Sequence, residues 1–399
     1  MTRKTSGATE LTSQSNNSGP VTVIGGSAAG LLTAGLVARA GRPVRILEAS
    51  EALSPAARTL IVTSRMRDLL GPASERSILN EIRRFELFTD GRSAEVSLAR
   101  PDLIIERSRL IHGLAEQAQN AGAQLQLGRR FLNLEANDDG LAVTVERRGA
   151  GPEQIRANTV VGADGAASRV AKAAGWPEQD TVPLLQAIVT LPRDYPSHTV
   201  RVWFVPDDTP YFYWLIPEGP DRGALGLIAE DGQEARSCLH RFLEKRHFTP
   251  LAFQGARIPV YRRWVPVSRQ LGKGQVYLVG DAAAQVKVTT VGGIVTGFRG
   301  AIGVAEAILN GGRSRELRKL RRELGLHLLI RRALHRFQQA DYSRLVDLMN
   351  AATRRTLSVY TRDEAARVLW NIALNQPRLV LHGLRGLLTK DPFGRDKRA

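Results

Sequence analysis

The chain has 399 residues, of which 43% are apolar and 24% charged, so wholesale disorder, collagen and coiled coil are excluded as global descriptions and a packed core is expected. A single cysteine, Cys238, cannot form an intrachain disulfide, and no apolar run approaches the roughly 20 residues that span a bilayer. Together these point to a cytoplasmic protein of two-domain size. The formal charge is +17, and residues 311–399 hold 20 Lys or Arg against 8 Asp or Glu, which places +12 of it in the last 89 positions. An excess of this kind asks for an anionic partner.

In chain order, residues 1–19 are rich in Ser, Thr, Asn and Gly and lack an apolar h-region; they read as a disordered leader. VTVI (Val21 to Ile24) then enters GGSAAG and a helical segment ending at Gly41, and RPVRIL supplies a second strand that ends at Glu48. This is a strand, turn, helix, strand unit of about 30 residues. A dinucleotide pyrophosphate needs backbone N–H donors, close approach and the positive end of a helix dipole. Gly25, Ser27 and Gly30 occupy the three positions of the G-x-G-x-x-G pattern, and Glu48 stands where a ribose hydroxyl would be bound.

Glu106 to Ala123 shows helical periodicity, and FLNLE, LAVTVER and TVVGADG follow as strands. From Pro183 to about Tyr261 the pattern changes to period-two alternation rich in aromatics, which predicts an antiparallel sheet. A buried strand, QVYLVGD, and a glycine-containing helix return to the first domain, so that domain is discontinuous. The predicted boundaries are 20–182 and 268–312 for the nucleotide domain, 183–267 for the inserted sheet and 313–399 for a basic helical tail. In the tail, Leu317, Leu320, Leu324 and Leu328 share a helix face, which suits either a solvated helix or adsorption to anionic lipid. No nucleic-acid recognition motif accompanies the charge. Cys238, His240 and His247 lack a second ligand pair, so a helix with surface histidines is preferred to a metal site.

Two later segments, VVGADGAASRV with Asp164 and Gly165, and YLVGDAAAQVKVTTVGGI with Gly280, Asp281, Gly292, Gly293 and Ile294, complete a trio with the first turn. This trio resembles the FAD-dependent oxidoreductases of the p-hydroxybenzoate hydroxylase type. Within them, GDAAAQVKVTTVGGIVTG is similar to the corresponding segment of the geranylgeranyl reductase family, and PYFYWLIP resembles its P-x-Y-x-W-x-F-P signature. The chain departs from these patterns at Ala171, Val288 and Val291, and it has no cysteine in ASEALSPAARTLIVTS, where archaeal members carry one.

The resemblance implies an α/β fold: a Rossmann-like FAD-binding domain, an inserted antiparallel substrate sheet and a C-terminal helical tail. It implies that Asp281 holds the ribityl hydroxyls, that Gly292, Gly293 and Ile294 face the flavin, that Arg107 lies near the cofactor, and that Phe212, Trp214 and Pro217 line a substrate cavity. The implied cofactor is FAD, with NAD(P)H or another reductant as electron donor. The implied reaction is reduction of a prenyl double bond, with hydroxylation or epoxidation of an aromatic or apolar compound and a flavin-retaining membrane-surface binding protein as alternatives. No catalytic acid is identifiable from the sequence. A lipid substrate would make residues 311–399 a membrane handle.

Overall fold

The computed structural model describes residues 19–147 and 149–388; the expected leader falls almost wholly outside the described residues. Short β-branched runs form a parallel sheet in the order Gly274–Leu278, Thr159–Gly162, Val21–Ile24, Val44–Leu47, Gln124–Gln126, with Ser268–Leu271 antiparallel at one edge. Val21 is in register with both Val44 and Thr159, and Val21–Ile24 is buried along its length, as expected for a parallel strand covered on both faces. Small residues set the helix packing beside it. The Cβ of an alanine at Gly297 would lie 3.7 Å from Ala29 Cβ, which shows how closely the helices Ala28–Arg39 and Ile294–Leu309 approach.

A second sheet has eight strands in the order Pro250–Pro259, Thr181–Thr190, Arg222–Ile228, Tyr213–Pro217, Thr199–Trp203, Ile78–Thr89, Arg92–Glu106, Thr59–Val62. All neighbours are antiparallel except Thr199–Trp203 and Ile78–Thr89, which run parallel with Thr199 opposite Arg84. The sheet therefore takes three strands from within 20–182 and is larger than the 183–267 segment that the alternation marks out. The reason is physical: a parallel pairing across more than a hundred residues leaves no local signal.

Alternation divides the aromatics between the two faces of this sheet. Tyr213 and Trp203 pack under the helix Gly232–Lys245, with Tyr213 and Phe242 stacked at 4.0 Å between ring centroids. Phe204, Phe212 and Trp214 face the other way. Cys238 is buried in the helix interface, while His240 and His247 are exposed.

The C-terminal region forms the helices Arg315–Leu334, Gln339–Asp347, Ala351–Val359, Ala365–Asn375 and Pro377–Leu388. Ser314 caps the first, accepting from Leu317 N, and Leu317, Leu320 and Leu324 are buried. The leucine stripe that the sequence offers to solvent or lipid is thus an internal seam. No helix among the described residues is long and apolar enough to cross a membrane.

Candidate functional site

The Gly-rich turn is held by its own neighbours. Gly25 has φ +104°, and a Cβ there would stand 2.6 Å from Ala163 O; one at Gly30 would stand 2.7 Å from Ala163 Cβ. Only glycine fits at either position. Ser27 is the N-cap of the following helix, its Oγ accepting from Gly30 N at 3.2 Å. Glu48 Oε2 accepts from Gly26 N at 2.7 Å, so the acid predicted for the ribose stands at the turn.

Asp281 follows the strand Gly274–Leu278 and lies on a cavity wall with Arg58 and Arg107. Burial pushes its carboxyl up, and the two arginines oppose this. Burial likewise pushes both guanidiniums down, with Arg107 adding to the effect on Arg58. Neither arginine forms an ion pair among the described residues, and Arg58 Nε is buried without a hydrogen-bond partner there. Beside them, the helix Ile294–Leu309 begins at Gly293 with no side-chain cap, leaving its first N–H groups free for a ligand. A Cβ at Gly293 would come 3.2 Å from Asp281 Oδ1, so the missing side chain keeps this approach open. Two unpaired arginines, an uncapped helix end and a tight glycine turn converge, and together they suit the anionic and polar groups of FAD.

Gly165, Gly280, Asp281, Gly292, Gly293 and Ile294 all line one cavity of about 560 Å³, together with Ser27 and Arg107. Gly25, Gly30 and Glu48 form the turn behind it. Asp164 is used locally: its carboxylate accepts from Ser168 Oγ at 2.6 Å and from Val170 N at 3.1 Å, which fixes the start of the helix Arg169–Ala173. Phe212 and Trp214 line the cavity, and Ile216 continues the alternation. Pro217 lies outside the lining, at a strand end where its carbonyl accepts from Asn80 Nδ2 at 3.0 Å; the period of two that brings Trp214 and Ile216 to the cavity sends Pro217 to the other face.

The far wall comes from the tail, which sequence reasoning left without a role in the site. His327, Arg331, Tyr342 and Arg362 all line the cavity. His327 Nδ1 is 2.7 Å from Thr289 Oγ1, and its Nε2 lies 3.4 Å from Glu323 Oε1. Burial pushes the His327 pKa down, which favours the neutral imidazole, and Glu323 only partly offsets it. Arg331 stands 4.7 Å above the Tyr211 ring and donates to Pro210 O. Lys287 and Asp363 form a buried ion pair, 5% and 2% exposed, and Thr63 Oγ1 also donates to Asp363. Val291, one of the family-pattern departures, has φ +50°, an unusual backbone state for a β-branched residue.

Parallel sheet, glycine turn and convergent cavity define an FAD-dependent oxidoreductase. Residues 18–318 match the protein family described as an FAD binding domain. Within that class the chain belongs to the geranylgeranyl reductase family. It is 30% identical over 293 residues to digeranylgeranylglycerophospholipid reductase 1 of Methanopyrus kandleri, covering 69% of this chain and 76% of that one. A geranylgeranyl bacteriochlorophyll reductase-like protein of Thermoplasma acidophilum superposes with TM-score 0.75 at 20% identity, over 92% of this chain and 99% of that one. Aklavinone-11 hydroxylase in complex with FAD and aklavinone shares the fold at TM-score 0.57 and 20% identity, over 81% and 69% of the two chains.

Proposed function

We propose that the protein reduces isolated double bonds of a prenyl lipid or related isoprenoid, with NAD(P)H or another reductant as the electron source. The observation that carries this reading is the continuity of one cavity, polar and cationic at Asp281, Arg58 and Arg107 and apolar around Phe204, Phe212 and Trp214. Bound flavin, once reduced, supplies a hydride. An isolated double bond is not polarised, so the protein must hold it in place by packing alone. The aromatic wall offers such packing and excludes water. A proton from solvent must also reach the neighbouring carbon, and Thr289 and His327, hydrogen-bonded on the cavity wall, would relay it, each giving up one proton as it takes another so that both end unchanged. Gly25, Ser27, Gly30 and Glu48 would hold the adenosine and pyrophosphate part, and Asp281 the ribityl hydroxyls. On this reading the protein works in the cytoplasm at a lipid surface that it meets through residues 311–399.

The deciding experiment is anaerobic incubation of reduced protein with a geranylgeranyl lipid, followed by mass spectrometry. A gain of two hydrogens per reduced double bond is the expected result. Substrate-dependent oxygen consumption with a hydroxylated or epoxidised product would replace this reading with a monooxygenase. Absence of turnover by flavin-loaded protein across prenyl lipids and aromatic compounds would favour the binding-protein alternative.

A further inference from the structure

The last two described helices carry an apolar stripe on their solvent side. Trp370 and Leu374 on Ala365–Asn375 are 68% and 65% exposed, and Leu381, Leu384 and Leu388 on Pro377–Leu388 are 58%, 47% and 86% exposed. Their spacings, one turn apart on the first helix and i, i+3, i+7 on the second, keep each set on one face. The opposite faces are occupied: Ala365 and Ile372 are buried, and His382 packs 4.9 Å from Phe337 with its Nε2 2.9 Å from Asp341 O. Both helices are therefore anchored on one side and apolar on the other.

Charge says what kind of partner fits. Residues 365–388 contain no Asp or Glu, and their charged residues are Arg367, Arg378 and Arg385, all exposed. Arg378 and Arg385 have no ion pair among the described residues. A helix pair with large exposed apolar side chains, flanking arginines and no carboxylates has the composition of an interfacial helix at anionic headgroups. Position adds a third observation, since Ala365 and Val368, on the inner side of the same helix, line the cavity.

We propose that the helix pair 365–388 docks on an anionic lipid bilayer and holds the cavity rim against it. A long apolar substrate then enters the cavity without crossing water; this last step rests on the prenyl-lipid reading, whereas the docking does not. The adhesive surface is this stripe and its arginines. Leu317, Leu320 and Leu324 of Arg315–Leu334, which carry most of the helical periodicity in the tail, are buried and unavailable for it.

The test is flotation of the full-length, flavin-loaded protein with vesicles of phosphatidylcholine alone or mixed with phosphatidylglycerol. Wild type is expected to partition about tenfold better onto the anionic vesicles. A variant combining Trp370→Ser, Leu374→Ser, Leu381→Ser and Leu388→Ser is expected to lose at least about tenfold of that partitioning. A second variant, Arg378→Glu with Arg385→Glu, loses it comparably, and both keep wild-type flavin content and melting temperature. Equal flotation of wild type and either variant would overturn the proposal. So would a wild-type dimer that the serine variant abolishes, because the stripe would then serve a second copy. Turnover of detergent-dispersed lipid, measured in parallel, separates the two readings. Its persistence in a variant that no longer floats supports docking, and its absence in a protein that floats normally counts against the proposed reaction alone.

Discussion

Beside the glycine turn, Arg58 and Arg107 flank Asp281 without an ion pair among the described residues, whereas where the tail meets the cavity Lys287 is closed against Asp363 and Arg362 against Asp102. Arg58, Arg107 and Asp281 line the same cavity as Lys287 and Arg362, while the carboxylates Asp363 and Asp102 are buried behind it. The unpaired cations bear a desolvation penalty that an anionic ligand would relieve, as the proposed cofactor site requires. The paired ones are satisfied before any ligand arrives, and they tie Thr63, Lys287 and residues 362–363 into one wall. Charge at one side is held ready for a ligand, and at the other it holds the tail in place.

The largest test of this contrast removes one member of a closed pair. Asp363→Ala should destabilise the protein by about 3–5 kcal/mol in denaturant unfolding, because Lys287 is left buried and alone. Lys287→Met combined with Asp363→Leu should recover most of the loss. At the other side, Arg58→Ala or Arg107→Ala should leave the unfolding midpoint of the apoprotein almost unchanged or slightly raised. The same substitutions should weaken FAD binding by about 1.5–3 kcal/mol, roughly 10- to 150-fold, in titrations followed by flavin fluorescence. A large stability loss there would break the comparison.

Acidification sharpens it further. Burial holds the folded-state pKa of His327 below its ordinary value, so the unfolded chain takes up a proton first. The stability this group contributes is present above about pH 6.5 and is lost as pH falls through the lower folded value. Asp363 has the same sign at lower pH: burial raises its pKa, but Lys287 and Thr63 pull it below the usual carboxylate range. Asp281, with its pKa raised by burial, contributes with the opposite sign, so the test is a difference: between pH 7 and pH 5 the melting temperature of wild type should fall relative to that of His327→Gln. The smallest expected effect is at Val291, where Val291→Gly should raise stability by about 1 kcal/mol by relieving a positive φ.

What could be read in advance follows the range of the interactions. Val21 to Glu48 declare themselves because strand, turn, helix and acid are neighbours in sequence, and each obeys a local rule. Gly280, Asp281 and Gly293 are legible through the resemblance of their segment to a known family and not through a local rule, since a Gly-Asp after a strand reads locally as a helix N-cap. Arg58 was hidden within a segment marked only by a missing cysteine, and nothing in its neighbourhood shows that it will face Asp281. The tail illustrates the other limit. Periodicity placed Leu317, Leu320 and Leu324 on one face, but a pattern states that a face will be covered and not by what. His327 and Asp363 acquire meaning only from Thr289 and Thr63, 38 and 300 positions away.

That last separation also sets an order of events during synthesis. Thr63 and Asp363 lie 300 residues apart, so at about 5–20 residues per second the ribosome makes the closing carboxylate roughly 15–60 s after the hydroxyl it meets. Asp281 is made 82 residues before Asp363, so for about the last 4–16 s of that interval the glycine turn, Asp281 and both arginines exist together while residues 362–363 of the wall opposite them do not. A nascent chain is open to its ligand from the side that the finished protein covers, and the segment made late turns a groove into a cavity.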